Sequence, residues 1–333
     1  MKMIKNLILY CLTFLFCGFI FTQTNEDYVK YVNPLIGTDT SFELSNGNTY
    51  PAIARPWGMN FWTPQTGKMG DGWAYTYKSD KLIGFKQTHQ PSPWINDYGA
   101  FSLMPSVGKL SVLESERKLK FSHDKEIVEP HYYSVILDEI NTKVEFTVTD
   151  RSSFFKFNFP KSENSNIIID AFFKNSEIKV IPNENKIIGI AKNNSGGVPE
   201  NFANYFVIEF NRPFKKSGVW DGRGNIISKN KLSGKHVGAY VSFDTNDNGL
   251  VEVKVSSSFI SHEQAWINLY RELPKSKKFD EILAEGRKSW NNELSKIKVE
   301  TEDTDYGLSN KIKFYSCFYR TILFPRQFHE YNI

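Results

Sequence analysis

The chain has 333 residues, enough for one large domain or two ordinary ones. Hydrophobic residues make up 40% and charged residues 23%, and the formal net charge is only +4, with lysine and glutamate interspersed. This is an ordinary globular balance, and it excludes the basic patch that a nucleic-acid partner requires.

The N-terminal residues have the pattern of a secretory signal. Two lysines precede an apolar run over 7–21, and a polar stretch follows from Thr22. An apolar run of about fifteen residues after a short positive region is typical of an export signal and is short for a membrane span. The sequence predicts a signal peptide over 1–22 and no stable membrane span after cleavage. A single membrane anchor is the alternative, and Cys17 is a lipidation candidate that the bulky Phe16 before it disfavours.

Cysteine and histidine usage gives no sign of a metal centre. Cys11 and Cys17 lie inside the predicted signal, so only Cys317 remains in the mature chain. One cysteine permits neither an internal disulfide nor a cysteine metal cluster. The six histidines are scattered and lack zinc-type spacing. The sequence therefore predicts no metal ligands in this chain, and stability must come from burial.

The segment 33–105 is dense in glycine, proline and aromatic residues. Its tryptophans are Trp57, Trp62, Trp73 and Trp94, and the polar side chains beside them are Asp71, His89, Gln90 and Asp97. Aromatic faces pack against the C–H faces of sugars, while such polar groups bind hydroxyls, and a pocket needs apolar walls with a few placed polar groups. The pattern indicates a carbohydrate site. The alternative is that the tryptophans are core residues and the prolines are turns.

The stretch "GFKQTHQPSPWINDYG", residues 84–99, carries the largest share of these groups. His89 alone is as well explained as a hydrogen-bonded structural histidine as by ligand contact. Pro91 and Pro93 stiffen the chain here, so that the side chains of this stretch are held ready for a ligand.

Residues 100–260 have the pattern of short strands separated by turns. Runs rich in β-branched and aromatic residues occur at 108–113, 130–137, 143–150, 153–159, 166–172 and 204–210. In the third run, Val144, Phe146 and Val148 alternate with polar residues and so share one face. Turn sequences such as "WDGRGN" separate the runs, and no helical pattern intervenes. The sequence predicts a mainly β fold, a large antiparallel β-sandwich.

The pattern changes to helical at Ser261. Ser261 and Gln264 form a capping-box pair, and apolar residues then recur at helical spacing as far as Pro274. A second helical stripe begins at Phe279. Helices therefore replace strands at about residue 260.

A third helix is predicted over 309–324, where apolar and aromatic residues cover most of the circumference. Such a helix must be buried on nearly every side, yet the sequence ends soon afterwards at Ile333. The preferred interpretation is a chain truncated where a helical domain begins. The alternative is a C-terminal helix docked on the sandwich.

Several stretches together resemble glycoside hydrolase family 92. They occur in the order of that family, from about Tyr31 to the last residue, and are "YVNPLIGT", "PAIARPWGMNFWTPQTG", "GDGWAYTY", "GFKQTHQPSPWINDYG", "FSLMP", "SFISHEQAWINLYREL", "WNNELSKIKVE" and "KFYSCFYRTILFPRQF". The resemblance implies a secreted bacterial α-mannosidase that is exo-acting, inverting and calcium-dependent, and that cuts α-1,2 linkages of mannan or high-mannose N-glycans. It also implies an N-terminal β-sandwich, a helical linker and an (α/α)6 barrel.

The resemblance places the catalytic carboxylates and most contacts to Ca²⁺ in the barrel, beyond the end of this chain. Inverting hydrolysis needs two carboxyl groups roughly 6.5–9.5 Å apart, and the only acidic residues inside the aromatic cluster are Asp71 and Asp97. No residue of this chain is therefore predicted to be catalytic. By resemblance, Trp73 is the first candidate for an aromatic wall beside the scissile mannose, and the next candidates are His89, Gln90, Trp94 and Asp97.

The predicted organisation is a signal peptide over 1–22, a β-sandwich over 23–260, a helical linker over 261–300 and the truncated start of a helical barrel over 301–333. Mannose-containing glycans are the expected partners, and the expected location is outside the cell, in the periplasm or on the surface of a bacterium. A second class of function stays open, a stand-alone secreted carbohydrate-binding module without catalysis. The third helix discriminates, because such a module has no reason to carry an apolar helix.

Overall fold

The computed structural model describes residues 26–39, 49–67, 75–90, 97–194 and 196–332. Within these ranges the chain is mainly β, and three helices follow the last strand. The predicted order, strands first and helices after about residue 260, is confirmed.

Antiparallel pairing joins the strands into one large sheet and one small one. In chain order the strands are β1 (Phe61–Gln65), β2 (Lys81–Leu82), β3 (Gly84–Thr88), β4 (Phe101–Val107), β5 (Leu119–Lys120), β6 (Glu126–Glu129), β7 (Tyr132–Leu137), β8 (Thr142–Val148), β9 (Ser152–Asn158), β10 (Ser165–Ile181), β11 (Lys186–Ala191), β12 (Asn204–Phe210), β13 (Lys216–Asp221), β14 (Ile226–Ile227), β15 (Lys231–Phe243) and β16 (Leu250–Ser258). The main path of the 14-stranded sheet is β1-β3-β4-β10-β11-β12-β16-β9-β8-β7-β6, with β13, β14 and β15 beside it. The small sheet pairs β2 with β5.

The long strand β10 takes part in both halves of the large sheet. Its residues 165–170 pair with β4 and its residues 177–181 pair with β11. Strand β15 pairs with β10 both before residue 170 and after residue 176, and the register shifts between these two residues. The strand is therefore continuous, but its pairing with β15 is irregular between residues 170 and 176.

The curled sheet encloses one aromatic-rich core. Val144, Phe146 and Val148 are fully buried on one face of β8, as their alternation predicts. Trp62 packs into the same core, with its ring centroid 4.9 Å from that of Phe155. Each fully buried side chain of this kind stabilises the fold by roughly 1.5–3 kcal/mol. Of the clustered tryptophans, Trp62 is thus a core residue.

The predicted strand over 108–113 is wrong. The chain leaves β4 at Gly108, which has a φ of 78°, and then runs through bends rather than strand. The apolar side chains of this segment serve packing instead, because Val112 is buried against Ile168 and Trp220. Composition alone does not separate a strand from a bent segment that packs one side chain at a time.

The helices are α1 (His262–Glu272), α2 (Phe279–Leu294) and α3 (Asp305–Ile322). Ser261 caps α1 by accepting a hydrogen bond from the Gln264 amide at 3.1 Å. The Gln264 side chain does not return the bond but donates to Asn268 Oδ1 and to the Tyr331 carbonyl, so the predicted capping box is half formed. Pro274 follows the last turn of α1, as expected.

Helix α3 begins and ends earlier than the predicted 309–324. Thr304 caps it by accepting from the Gly307 amide at 3.0 Å, and Pro325 follows its last turn. Tyr315 and Tyr319 are fully buried, whereas the opposite side of the helix is exposed. Described residues therefore cover one face of α3 rather than nearly every side. No helix in the described ranges is long and apolar enough to cross a membrane.

Candidate functional site

The structure describes part of the predicted carbohydrate site. Asp71, Trp73 and Trp94 lie outside the described residues, and the described members are His89, Gln90 and Asp97. His89 directly follows β3, with Gln90 half-buried beside it, and Asp97 lies before the short bridge at Tyr98. The structure brings His89 and Asp97 together.

His89 and Asp97 tie together the two ends of the stretch that carries Trp94. The Asp97 Oδ1 atom accepts from the His89 amide at 3.0 Å and from the Tyr98 amide at 2.9 Å. The His89 Nδ1 atom lies 2.7 Å from the Tyr98 carbonyl oxygen, and the His89 and Tyr98 rings stack with centroids 5.2 Å apart. The Asp97 carboxylate thus joins the backbone at residues 89 and 98, and both side chains position the backbone at this point.

The His89 ring is neutral at pH 7 because its environment disfavours the charged form. Burial lowers its pKa to about 4, although nearby Asp97 opposes the shift. Both ring nitrogens face oxygens, since Nε2 lies 3.2 Å from Asn60 Oδ1, and only an imidazolium could donate to both. A neutral ring has one N–H, and we assign it to Nδ1, which makes the shorter contact.

A buried ion pair occupies the other oxygen of Asp97. Lys86 Nζ lies 3.0 Å from Asp97 Oδ2, and the side chains are 0% and 2% exposed. Removing two charges from water costs several kcal/mol per ion unless the pair compensates, so the geometry must be kept. Both oxygens of Asp97 are therefore committed to protein groups.

A network of buried polar side chains from separate parts of the chain adjoins His89. Asn60 Nδ2 and Gln87 Nε2 both donate to Ser257 Oγ, at 2.9 and 3.0 Å. Asn204 Nδ2 donates to Gln87 Oε1 at 3.3 Å. Of these only Gln87 belongs to the stretch 84–99, and no sequence spacing could have joined the others to it. A buried network of this kind fixes one arrangement of the strands that carry it.

The segment after α3 also reaches the site. Arg326 Nη2 donates to Tyr98 Oη at 2.5 Å, and its guanidinium lies 4.8 Å from the centroid of the Phe328 ring. Phe328 in turn lies 6.0 Å from Phe259 and is half exposed. Arg326 was not predicted as a site residue, although it stands in the "LFPRQF" part of "KFYSCFYRTILFPRQF".

In the described part of the predicted site, the carboxylate is committed to structural contacts. Asp97 is the described acidic residue of the predicted cluster, and its oxygens are engaged as above. No group of three or more His, Cys, Asp or Glu side chains in the described ranges could hold a metal ion.

Two family models match this chain from residue 31 onwards. The profile of the glycosyl hydrolase family 92 N-terminal domain matches residues 31–258, and that of the glycosyl hydrolase family 92 catalytic domain matches residues 264–333. A search of curated proteins finds no match.

Two solved structures are similar to this chain in sequence and in fold. A family GH92 inverting mannosidase from Bacteroides thetaiotaomicron VPI-5482 is 42% identical over 92% of this chain, with a TM-score of 0.87. A family GH92 alpha-mannosidase from Bacteroides thetaiotaomicron, in complex with mannoimidazole, is 29% identical over 92% of this chain, with a TM-score of 0.80. This chain covers 41% of the length of each.

Proposed function

Because this chain belongs to glycoside hydrolase family 92, we propose that it forms the sandwich side of an α-mannosidase active site. The observation that carries the proposal is the 42% identity, over 92% of this chain, to an inverting mannosidase of the same fold. A second relative, an alpha-mannosidase, was solved with mannoimidazole, which supports mannose-containing glycans as the substrate class.

The proposed division of labour is supported by the contacts of Asp97, the described acidic residue of the predicted cluster. Asp97 is tied to Lys86 and to two backbone amides, so it is not free to protonate a leaving group or to activate water. We assign the acid, the base and the Ca²⁺ ligands to the part of the relatives' length that this chain does not cover. Inversion, exo action and preference for α-1,2 linkages of mannan or high-mannose N-glycans belong to the same proposal.

The chain's own contribution is to line the mannose pocket. Trp73 is proposed as the aromatic wall, and Asp71, Gln90 and Trp94 as further contacts. His89 and Asp97 support this role in a particular way, since their bonds hold the two ends of the stretch that carries Trp94. Export through the signal over 1–22 to the periplasm, cell surface or medium completes the proposal, because polymeric mannans lie outside the cell.

Release of mannose tests the function. The purified 333-residue chain is expected to release no mannose from α-1,2-mannobiose, with or without calcium. A longer protein in which a family 92 barrel follows this chain is expected to release mannose with inversion at the anomeric carbon. Release by the short chain, or retention by the long one, would contradict the proposal.

Trp73→Ala in the longer protein tests the pocket, and Trp62→Ala is its matched control. We expect Trp73→Ala to lower kcat/KM at least tenfold, about 1.4 kcal/mol, while thermal melting changes little. Trp62 is 1% exposed in the core, so its truncation should cost about 3–5 kcal/mol of stability. If Trp73→Ala lowers the melting temperature strongly and leaves kcat/KM unchanged, Trp73 is a core residue and not part of the pocket.

A further inference from the structure

The middle of β10 contains a strained bulge. Phe172, Lys174 and Asn175 have φ values of 60°, 75° and 70°, in the left-handed region that non-glycine residues rarely adopt. The register with β15 shifts on both sides of Phe173. Each such residue costs of order 1–3 kcal/mol and persists only where its surroundings enforce it, which occurs most often at binding and catalytic sites.

A buried carboxylate enforces the bulge. Asp170 Oδ1 accepts from the Phe172 amide at 2.9 Å and from His236 Nε2 at 2.8 Å, and Asp170 Oδ2 pairs with Arg117 at 2.7 Å. Burial by itself would raise the pKa of Asp170, but Arg117 and His236 outweigh it and hold the pKa below its ordinary value. Ser176 Oγ adds a hydrogen bond to the Phe172 carbonyl at 2.5 Å. The bulge is thus fixed from both ends.

The bulge places the aromatic ring of Phe173 beside the imidazole of His236. Phe173 is 43% exposed, and its ring lies 6.3 Å from that of His236 at an angle of 66°. His236 is 24% exposed, is anchored through Nε2 to Asp170, and packs on the buried Trp220 ring at 5.3 Å. A ring face next to a fixed polar edge combines an apolar wall with a placed hydrogen-bonding group.

The bulge adjoins the candidate site. Phe172 packs against Ala100, and the Lys174 ammonium donates to the Asn194 carbonyl. Asn194 forms a β-bridge with Tyr98, whose amide and carbonyl hold the end of the candidate stretch. The residues on either side of Phe173 are therefore connected to the Tyr98 end of the candidate stretch.

We propose that the bulge at 172–175 is an outer carbohydrate subsite, in which the Phe173 ring stacks on one hexose of a glycan whose terminal residue occupies the mannose pocket. The Nδ1 atom of His236 bonds a hydroxyl of that hexose, because Nε2 is already bound to Asp170. Arg117 holds Asp170, and so the imidazole, in place. This inference rests on the proposed function for the identity of the glycan. It gives the sandwich a role in selecting longer substrates.

Binding of a soluble α-mannan oligosaccharide to the 333-residue chain tests the subsite. We expect saturable binding by isothermal titration calorimetry, weakened at least tenfold in Phe173→Ala and kept in Phe173→Trp. Ile127→Ala is the control, because Ile127 is also an exposed apolar residue, at 52%, but lies on β6 at the far end of the sheet path. Absence of binding to the unaltered chain, or equal binding by Phe173→Ala and Ile127→Ala, overturns the inference.

A melting curve and a second substrate keep the outcomes separate. Phe173→Ala must have the same melting temperature as the unaltered chain. His236→Gln should also weaken oligosaccharide binding. In the longer protein, Phe173→Ala is expected to lower kcat/KM on the oligosaccharide and to leave kcat/KM on α-1,2-mannobiose unchanged. Equal loss on both substrates overturns the subsite. If the unaltered longer protein releases no mannose at all, the proposed function fails, while the calorimetry still decides whether Phe173 binds sugar.

Discussion

At the scale of single residues, two buried histidines have lowered pKa values and are therefore neutral at pH 7. His131 is fully buried, and neither ring nitrogen has a hydrogen-bond partner among the described residues. Burial, then Arg287 and Arg55, lower its pKa to about 3, while Asp27 opposes the shift. His89 is likewise held neutral, with a pKa of about 4. Both rings must therefore stay unprotonated for the chain to keep this packing.

Stability should consequently fall with acidification in a defined window. In the unfolded chain a histidine takes up its proton near pH 6.5, but folded His131 does so only near 3. The unfolded state therefore binds more protons in between, so this stability is present above pH 6.5 and is lost as the pH falls towards 3. Between pH 7 and pH 5 the loss from His131 should be about 2 kcal/mol.

Urea unfolding at the two pH values measures this loss. His131→Phe, which cannot take up a proton, should reduce the pH-dependent loss by about 2 kcal/mol relative to the unaltered chain. Val135→Ala in β7, the strand that follows His131, is the control, because it removes buried methyl groups and should lower stability equally at both pH values. An undiminished loss in His131→Phe would show that His131 is charged in the folded state.

The candidate site shows what residue types alone could and could not predict. The sequence indicated that His89 and Asp97 act together in one place, because both stand in a short polar and aromatic stretch. It did not indicate that Lys86 would be buried against Asp97 with 0% exposure, since a lysine in a strand is ordinarily a surface residue. Arg326, which donates to Tyr98 Oη, is distant in the chain, and only the fold brings it near.

At the scale of elements, the local patterns fixed strands and helices better than they fixed their burial. The period-two alternation of β8 is confirmed by the burial of one face of the strand. Of the predicted capping box, the bond to Ser261 is confirmed, because it joins neighbours in sequence. The strand predicted over 108–113 is wrong, because this segment runs through bends and pairs with none of the described strands. The bulge in β10 has no sequence signal either, since non-glycine residues occupy the left-handed positions.

Helix α3 provides an element-scale prediction. Tyr319 is fully buried beside Trp290, with ring centroids 5.2 Å apart, and its hydroxyl donates to the Ala52 carbonyl. Tyr319→Ala leaves a large cavity and should destabilise the chain by about 3–5 kcal/mol. Tyr306 on the same helix is 73% exposed, so Tyr306→Ala should stay within about 0.5 kcal/mol.

Thermal melting of the two tyrosine variants checks the packing of α3. Equal, small effects would mean that the helix does not dock on the sandwich in solution. In that case the exposed apolar helix should also make the chain associate, and removal of residues after 300 should yield a more soluble protein.

At the scale of the whole molecule, contacts cross the predicted boundary near residue 260 in several places. Asp27 pairs with Arg287 at 2.5 Å, and the Val29 amide donates to Asn291 Oδ1 at 3.1 Å. Trp290 Nε1 donates to the Ala54 carbonyl at 2.8 Å. The first described residues thus pack against α2. Sequence patterns located the change of secondary structure, but they carry no information on which distant segments share a core.

This arrangement predicts that sheet and helices unfold together. A single core cluster joins residues near Tyr28, Tyr50 and Phe61 to Trp290 and Tyr319, so the helices cannot leave without exposing side chains of the N-terminal part. Unfolding in urea should give one transition, with the same midpoint by far-ultraviolet circular dichroism and by tryptophan fluorescence.

Two variants make this comparison decisive. Val253→Ala lies in β16 within the sheet core, whereas Tyr319→Ala lies in α3, and each should move both signals by the same amount if the chain is one cooperative unit. Two separate transitions, with Val253→Ala shifting only one and Tyr319→Ala only the other, would instead make the boundary near 260 a boundary of stability. The helices would then be an independent unit that rests on the sandwich, and the contacts of Asp27 and Trp290 would be too weak to couple them.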